Sequence, residues 1–464
     1  MKNENTVRAS SSKLQSFNLG RDDEGIQMED YISELPQEIQ VKILSLLPPG
    51  RDAIVTSVLS KRWRYLWTRV CNLNFDGYRY MMNRKIKGTY KSDSEAPKFI
   101  KWVNSIIDHH NGQIDSFSVY FDLDHRSTSS IDKWVKFAMG KIGSLRSFAL
   151  EFPELGGFRR SSPCYYLHRR VFDSQENVSF NSLKVLRFNC VDLNDEVFHF
   201  LLHNCSALER FEVRGSSEMV NLSVTGPSLA LKHLELQNCE NVERIEICDT
   251  QNLVSFYCCC DNPDTILVIR DVPMLAEVYF HCSRYRDVVG SVFTTLSDCL
   301  WQLQILQLNI SHQDYVENRV YNTLTNLKQL NLVLNGCDNY NLLKLIPFIK
   351  AFPRMRKLEL KLLSWTGLRS QEWHKSMKPK ECPHQNLKEV EVLGYTGRTS
   401  DVELITYFIE NANLLEKIAI KSFQFMEYRT CQPPLTKKEE AMRRNHAMKH
   451  LKGKVPSTVE FICP

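Results

Sequence analysis

Three adjacent cysteines and one cysteine–histidine pair are the side chains in this sequence best suited to hold a metal ion. Cys258, Cys259 and Cys260 follow one another directly. Neighbouring residues on a strand point to opposite faces, so one ion cannot readily bind all three. Cys382 and His384 lack a second pair of ligands at the spacing of a zinc finger. We therefore expect buried thiols here and predict neither a metal site nor a cofactor.

Catalytic motifs would be the other sign of chemistry. The sequence contains no G-x-S-x-G, no H-E-x-x-H and no G-x-x-x-x-G-K-[ST], which are the patterns of serine hydrolases, zinc proteases and phosphate-binding loops. The remaining candidates, His109, His110 and His281, are isolated, and such histidines are more often core or surface residues than catalytic ones. We expect the chain to catalyse no reaction of its own.

The overall composition argues against several classes of protein. A net charge of +5 and a pI of about 8.4 are only mildly basic, so nucleic-acid binding is not expected. Residues 1–29 are polar, which predicts a disordered tail rather than a signal peptide. No apolar run reaches the roughly 18 residues of a membrane span. The fifteen cysteines are scattered and odd in number, which favours reduced thiols in the cytoplasm or nucleus.

The stretch 30–67 predicts two or three short helices. Proline is tolerated in the first turn of a helix, so Pro36 marks where the first one begins. Ile39, Ile43 and Leu46 then recur at spacings of four and three, which places them on one face. A unit of about forty residues is too small to bury all of its apolar side chains, so the excess implies a partner surface.

The residue order of this stretch resembles the F-box of plant F-box proteins. Both halves of that motif, LPQEIQVKILSLLP and SVLSKRWRYLW, are present at the family's spacing. The resemblance implies that residues 30–69 dock on the Skp-type adaptor of a cullin–RING ubiquitin ligase. The candidate adaptor-binding residues are Leu35, Pro36, Ile39, Ile43, Leu44, Leu46, Val58, Leu59, Lys61, Arg62 and Trp63.

A different pattern, apolar-x-x-apolar-x-apolar, recurs through the rest of the chain. It occurs thirteen times, the first at Val70 and the last at Leu415, and a further copy at Val242 is out of step. From Leu183 onward the copies start 22 to 32 residues apart, mostly near the roughly 20–29 residues of leucine-rich repeats. The sequence therefore predicts an α/β fold, in which a small helical F-box precedes an irregular leucine-rich-repeat solenoid over residues 70–381. Its parallel strands should line the concave face.

Insertions interrupt this array of repeats. Residues 78–98 are polar and basic and lead into an apolar stretch, Phe99–Ile107, that is expected to be helical. Ile131–Ile142 has the pattern of a second amphipathic helix. Residues 151–176 and 364–384 are predicted to be loops.

The last part of the chain, residues 382–464, resembles the FBD region that follows the repeats in many plant F-box proteins. The matching features are LKEVEVLGYTG and a predicted helix ending in ENANLLEKI. Thr436 and Glu439 fit a capping box for a further helix, with Gly453 as its expected terminator. Residues 457–463 are expected to add a final strand. We interpret this region as the cap that the open end of a solenoid requires.

The open face of the repeat sheet is the predicted place for a target. Residues that alternate with the buried pair of each strand must point to this face, which solenoid curvature makes concave. Two tyrosines in successive repeats and polar side chains beside them form the best candidate patch for recognition. The candidate target-binding residues are Tyr257, Tyr279, His281, Gln307 and Asn331.

These observations lead to one functional hypothesis and two alternatives. By resemblance, the chain is the substrate-recognition subunit of an SCF-type ligase, joined through the adaptor to cullin and RING subunits and holding an unknown target protein on its repeats. The first alternative is a repeat scaffold that binds partners without ubiquitination. Loss of target degradation on deletion of residues 30–67 would separate the two. The second is a nucleic-acid binder, for which a steep salt dependence of binding would argue.

Overall fold

The computed structural model describes residues 31–45, 66, 68–86, 92–141, 143–153, 163–172, 180–260, 262, 264–282, 288–311, 323–335, 341–363, 384–422 and 436–464. They form one long parallel sheet together with helices or short strands on the return segments. No helix in this part of the chain is long and apolar enough to span a lipid bilayer.

The main sheet has fourteen strands within the described ranges, and its strands follow one another in chain order. Thirteen of them are the thirteen predicted repeats, and the last is the strand expected at residues 457–463, so the predicted solenoid is confirmed. With all strands numbered along the chain, the sheet consists of β1 (Asn72–Asp76), β2 (Ser116–Tyr120), β3 (Ser147–Glu151), β5 (Val185–Asn189), β7 (Arg210–Arg214), β9 (His233–Gln237), β11 (Ser255–Cys260), β13 (Glu277–Cys282), β14 (Ile305–Ser311), β15 (Gln329–Asn335), β16 (Lys357–Leu363), β17 (Glu389–Leu393), β18 (Lys417–Lys421) and β19 (Glu460–Ile462).

A second, three-stranded parallel sheet explains the copy of the repeat pattern that is out of step. Ile245 and Ile247 belong to β10 (Arg244–Cys248), which lies between β8 (Asn221–Thr225) and β12 (Ile266–Arg270). These strands occupy the return segments between β7 and β13, where a helix would otherwise run. The sequence analysis did not predict β8 or β12. A short pair, β4 (Tyr165–Tyr166) and β6 (Val191–Asp192), completes the strands of the described ranges.

The helices confirm most of the predicted ones, with two corrections. The polar insertion after residue 77 contains a helix, and Gly453 does not end the last helix. That helix ends at His450 with Leu451 as its C-cap, and Gly453 lies in the 3-10 turn Lys452–Lys454 that follows. The α-helices are Tyr31–Glu34, Gln37–Leu44, Tyr78–Ile86, Ser92–Ile107, Thr128–Met139, Asp195–Asn204, Val288–Thr295, Ile346–Ile349, Thr399–Asn411 and Lys437–His450; other 3-10 turns are His125–Ser127, Arg169–Val171, Leu300–Gln302 and Leu342–Leu345.

One continuous apolar core runs beneath the main sheet. Both inner residues of all thirteen predicted copies lie in it, from Leu73 and Phe75 at one end to Ile418 and Ile420 at the other. The early repeats fill this space with phenylalanines. Phe117 and Phe148, for example, stack with ring centroids 5.8 Å apart. A single repeat cannot bury its own apolar face, so stacking neighbours is what stabilises each of them.

Candidate protein-binding surfaces

The first predicted adaptor helix, Gln37–Leu44, begins directly after Pro36. The carbonyl of Pro36 accepts hydrogen bonds from the backbone amides of Ile39 and Gln40, at 3.0 and 3.1 Å. The Gln40 side chain is fully buried, and its Nε2 donates to the carbonyl of Ile32 at 2.8 Å. This buried amide fixes the preceding turn, Tyr31–Glu34, against the helix.

The outer side of this helical unit is apolar and exposed. Ile32, Ile39 and Ile43 are 53%, 44% and 36% exposed, and Pro36 beside them is also exposed. Ile39 and Ile43 are four residues apart, so they lie on one face of the helix. Isolated exposed apolar residues are ordinary, but three isoleucines in so short a stretch form a patch of the kind that a partner covers.

Leu35 and Leu44 differ from the other candidates in this helical unit. Leu35 is half-buried, and Leu44 is only 1% exposed because it packs against Leu66 and Val70 in a small core of its own. The expectation that Leu44 contacts the adaptor therefore needs correction, since its side chain supports the helix from inside. Six further candidates lie outside the described residues and stay predictions: Leu46, Val58, Leu59, Lys61, Arg62 and Trp63.

Hydrogen bonds join this unit to the first repeats. The hydroxyl of Ser45 accepts from the backbone amide of Cys71 at 3.2 Å, and the carbonyl of Thr68 accepts from the amide of Asn111 at 3.1 Å. His110 is buried, and its Nε2 lies 3.0 Å from the carbonyl of Val70. Burial lowers the pKa of His110, which favours a neutral ring that donates to this carbonyl. These contacts attach the apolar unit firmly to the repeat sheet.

The candidate target residues form one row across the main sheet. Tyr257 pairs in register with Tyr279, Tyr279 with Gln307, and Gln307 with Asn331. The two tyrosine rings stack with centroids 5.7 Å apart and planes inclined by 18°. His281 lies two residues beyond Tyr279 on the same face, and its Nδ1 is 3.4 Å from Cys259 Sγ. The structure therefore brings together four of the five predicted residues as immediate neighbours and places His281 at their edge.

Gln307 and Asn331 are less accessible than expected. Both point away from the repeat core, yet they are only 9% and 6% exposed. The amides lie against one another: Asn331 Nδ2 donates to Gln307 Oε1 at 3.4 Å, and Gln329 Nε2 donates to Asn331 Oδ1 at 3.0 Å. Their predicted role as exposed contacts is corrected, because these amides satisfy each other within the sheet surface. The half-buried tyrosines remain the accessible part of the row.

Ion pairs dominate the same face in the earlier repeats. Glu212 on β7 is 7% exposed and is approached by three guanidinium groups at 3.3 to 3.5 Å, those of Arg187, Arg210 and Arg214. Arg214 also binds Glu235 on β9 at 2.7 Å. Alternation along each strand places these residues on the open face, but it gives no reason to expect one buried carboxylate at the centre of three arginines.

The groups with metal-binding chemistry stay apart in the described part of the chain. No cluster of three or more His, Cys, Asp or Glu side chains suited to a metal occurs there. Cys258 and Cys259 are buried thiols and form no disulfide. His384 is buried against Tyr407, whose hydroxyl lies 3.3 Å from Nε2, and burial lowers the pKa of this histidine to about 4. Cys382 lies outside the described residues.

Two family models match different parts of the chain. A model described as "F-box domain" matches residues 32–75, and one described as "At1g61320/AtMIF1, LRR domain" matches residues 116–463, about three quarters of the chain. The chain belongs to the F-box proteins with leucine-rich repeats. Its F-box match covers the helical unit with the exposed isoleucines, and its repeat match covers the main sheet from β2 to the end.

Related F-box proteins of Arabidopsis thaliana span nearly the same length. The FBD-associated F-box protein At4g10400 is 29% identical over 415 residues, which cover 85% of this chain and 93% of the relative. The F-box/FBD/LRR-repeat protein At4g26340 is 25% identical over 83% of this chain and 91% of its own length. The F-box/LRR-repeat protein At3g59200 is 32% identical over a shorter stretch, 39% of this chain. These names support the plant F-box and FBD assignments. An F-box joined to such repeats has a general adaptor-type role in SCF complexes, and F-box proteins of this kind are typically non-catalytic.

Proposed function

We propose that this F-box protein is the substrate-recognition subunit of an SCF-type ubiquitin ligase. The F-box holds the Skp-type adaptor and, through it, the cullin and RING subunits. The open face of the repeats holds a target protein. The observation that carries the proposal is the exposure of Ile39 and Ile43 on a helix anchored by buried Gln40 and Leu44, with exposed Ile32 in the turn before it.

The mechanism is proximity rather than chemistry by this chain. Holding a target near a charged ubiquitin-conjugating enzyme raises the effective concentration of its lysines. This works best when the distance and the orientation between the adaptor site and the target site are fixed. The hydrogen bonds that the Cys71 amide donates to Ser45 and the Asn111 amide donates to Thr68 support such an arrangement, because they connect the F-box to the first repeats.

The adaptor interface can be tested at Leu35 and Pro36. Large apolar groups dominate interface energies, so Leu35→Ala combined with Pro36→Ala should weaken adaptor binding by about 2–4 kcal/mol if both are hot spots. The measurement is titration of the purified adaptor against the double mutant and its parent. Undiminished binding would sink the proposed interface.

A ligase receptor differs from a repeat scaffold in what happens to the bound target. Affinity purification of the full chain and of a chain lacking residues 30–67, read by mass spectrometry, should recover the same target from both but cullin and adaptor only from the first. The target should be ubiquitinated in vitro only with the full chain. Equal ubiquitination without the F-box would favour the scaffold. We also propose that the protein acts in the cytoplasm or nucleus, which a fluorescent fusion tests.

Target recognition is proposed to centre on Tyr257 and Tyr279. A double mutant with Tyr257→Ala and Tyr279→Ala that keeps its fold and its adaptor should lose the target. If it retains every partner of the parent chain, the recognition surface lies elsewhere, most plainly on the inserted loops. The stacked geometry of the two rings supports this choice, since aromatic residues are enriched among binding hot spots.

A further inference from the structure

The distribution of charge on the open face changes abruptly at β11. On β5, β7 and β9, which precede it, carboxylates and guanidinium groups neutralise one another, as Glu212 and Arg214 do. From β16 onward lysines and glutamates pair again, with Lys361 Nζ 3.3 Å from Glu359 and Lys421 Nζ 2.6 Å from Glu391. The strands between these two regions carry a nearly uncharged surface.

Glu277 is the exception within that uncharged region. It is the only carboxylate among the residues of β11 to β15 that alternate with the core pairs, and no lysine or arginine accompanies it. Its carboxylate makes no ion pair with any described residue. The residues concerned are Ser255, Tyr257, Cys259, Glu277, Tyr279, His281, Ile305, Gln307, Asn309, Gln329, Asn331 and Val333.

The position of Glu277 relates it directly to the stacked tyrosines. It lies opposite Ser255, two residues before Tyr279 on the same strand and therefore about 6.6 Å from it along the same face. Tyr257 is its diagonal neighbour on β11. Burial raises the pKa of Tyr279, and the nearby carboxylates of Glu277 and Glu359 raise it further. The phenol of Tyr279 therefore stays neutral at physiological pH, and its ring lies near a carboxylate.

We propose that Tyr257, Tyr279 and Glu277 together bind an arginine side chain of the target. This inference rests on the proposed function, because it names the chemistry of the protein that the open face receives. An aromatic face attracts a cation through its quadrupole, and a carboxylate within reach of the same cation completes the pairing.

Arginine fits this arrangement better than lysine for reasons of shape. A guanidinium group is planar, so it can stack on a tyrosine ring while its N–H edge donates two hydrogen bonds to one carboxylate. A lysine ammonium is a compact, strongly hydrated charge that cannot do both. The neighbouring amides Gln307 and Asn331 are already engaged with each other, which leaves Glu277 as the acceptor for the incoming N–H groups.

The experiment uses the full chain with its adaptor and fluorescent peptides of alternating glycine and arginine, glycine and lysine, or glycine and citrulline. Citrulline has the shape of arginine without its charge. Fluorescence anisotropy should show the arginine peptide binding about tenfold more tightly than the citrulline peptide, the order expected of a partly desolvated cation–π contact. The whole chain carries a net charge of +5, so its overall charge repels a cationic peptide rather than attracting it.

Four variants assign the binding to this site. Glu277→Gln should weaken arginine-peptide binding about tenfold. The same change at Glu243, an exposed glutamate that precedes β10 of the second sheet, should leave it unchanged. Tyr279→Phe keeps an aromatic face and should bind nearly normally, whereas Tyr279→Leu should not. Circular dichroism on each variant confirms that the fold is intact.

The outcomes separate this inference from the proposed function. Equal binding of the arginine and citrulline peptides, or equal loss in the Glu277→Gln and Glu243→Gln variants, overturns the arginine site. If adaptor binding and ubiquitination persist in that case, the ligase role stands without it. Conversely, arginine binding that depends on Glu277 in a chain unable to hold the adaptor would overturn the ligase role and leave the arginine site supported.

Discussion

Two helices in this protein have similar apolar periodicity but opposite surroundings. Helix Thr399–Asn411 buries its apolar side chains, with Leu404, Ile405 and Phe408 at most 1% exposed beneath the last repeats. Helix Gln37–Leu44 of the F-box leaves Ile39 and Ile43 exposed. An apolar stripe in the sequence therefore indicates that a helix face will be buried. It does not indicate whether the same chain or a partner buries that face.

The difference follows from what each helix can reach. Helix Thr399–Asn411 returns from β17 to β18 in a repeat, so the continuous core of the solenoid lies directly against it. The F-box helix precedes the sheet, and among the described residues its small core consists of Leu44, Leu66 and Val70, with Val41 packed partly against it. Ile32, Ile39 and Ile43 lie outside this core and are exposed, as apolar residues at a partner surface are.

The largest effect is expected from truncating the buried helix. Phe408→Ala removes a fully buried ring from the repeat core and should lower the free energy of unfolding by about 3–5 kcal/mol. Urea denaturation monitored by circular dichroism measures this. Adaptor binding by the folded fraction should be unaffected. A variant as stable as the parent would contradict the placement of Phe408 in the core.

At the F-box helix we expect the reverse, a loss of adaptor binding without a loss of stability. Ile39→Ala combined with Ile43→Ala should weaken adaptor binding by about 2–4 kcal/mol, because exposed apolar anchors act at an interface. The same double mutant should change the unfolding free energy by no more than about 0.5 kcal/mol, as is usual for surface positions. Calorimetric titration with the adaptor and urea denaturation give the two numbers. A stability loss as large as that of Phe408→Ala would mean that the isoleucines pack within the chain.

The repeats were predictable because their signal is local. Two apolar residues that are two positions apart lie on one face of a strand, and this pair recurs at a nearly fixed interval along the chain. Stacking of the repeats requires no other signal. The second sheet carries the same alternation, in Leu222 with Val224 and in Leu267 with Ile269, but without a regular interval. Only the spatial neighbours of a strand decide which sheet it joins, so these strands were missed.

The accessibility of the target face was not predictable for a related reason. Alternation places Gln307 and Asn331 on the open face, and that part was right. Their burial depends on amides from neighbouring strands lying flat against each other, which sequence spacing does not report. Within the described ranges Glu277 makes no ion pair, and this is equally non-local because it depends on the side chains that β11 and β14 place beside β13.

The stability of the protein should also depend on pH, through a histidine that packs against the buried helix Thr399–Asn411. Burial, with Lys350 as a lesser cause, lowers the pKa of His384 to about 4, from about 6.5 in an unfolded chain. The unfolded chain therefore binds more protons between these values, so stability is complete above pH 6.5 and declines as the pH falls towards 4. The loss amounts to up to about 3 kcal/mol. His384→Gln keeps a partner for the Tyr407 hydroxyl and should flatten this decline, as urea denaturation between pH 7 and 4.5 will show. Parallel pH profiles for variant and parent would rule out this role.

The smallest effect is expected at a helix that neither packs deeply nor presents an apolar face. In helix Lys437–His450, only Ala447 is buried, so its ends contribute much of its stability. The Thr436 hydroxyl accepts from the Glu439 amide at 3.3 Å, and the Glu439 carboxylate accepts from the Thr436 amide at 2.8 Å. Thr436→Ala should therefore cost this helix about 1 kcal/mol.

Hydrogen exchange is the appropriate measurement for this last change, because a fraying helix opens locally while the solenoid stays folded. Amides over residues 437–450 should exchange about fivefold faster in Thr436→Ala, and Thr436→Ser, which keeps the hydroxyl, should restore most of the protection. Amides of helix Thr399–Asn411 serve as the internal control, since that helix packs into the repeat core and has a capping box of its own, formed by Arg398 and Asp401, that the substitution does not touch. If protection over residues 437–450 were unchanged, contacts outside the Thr436–Glu439 capping box would have to stabilise this helix.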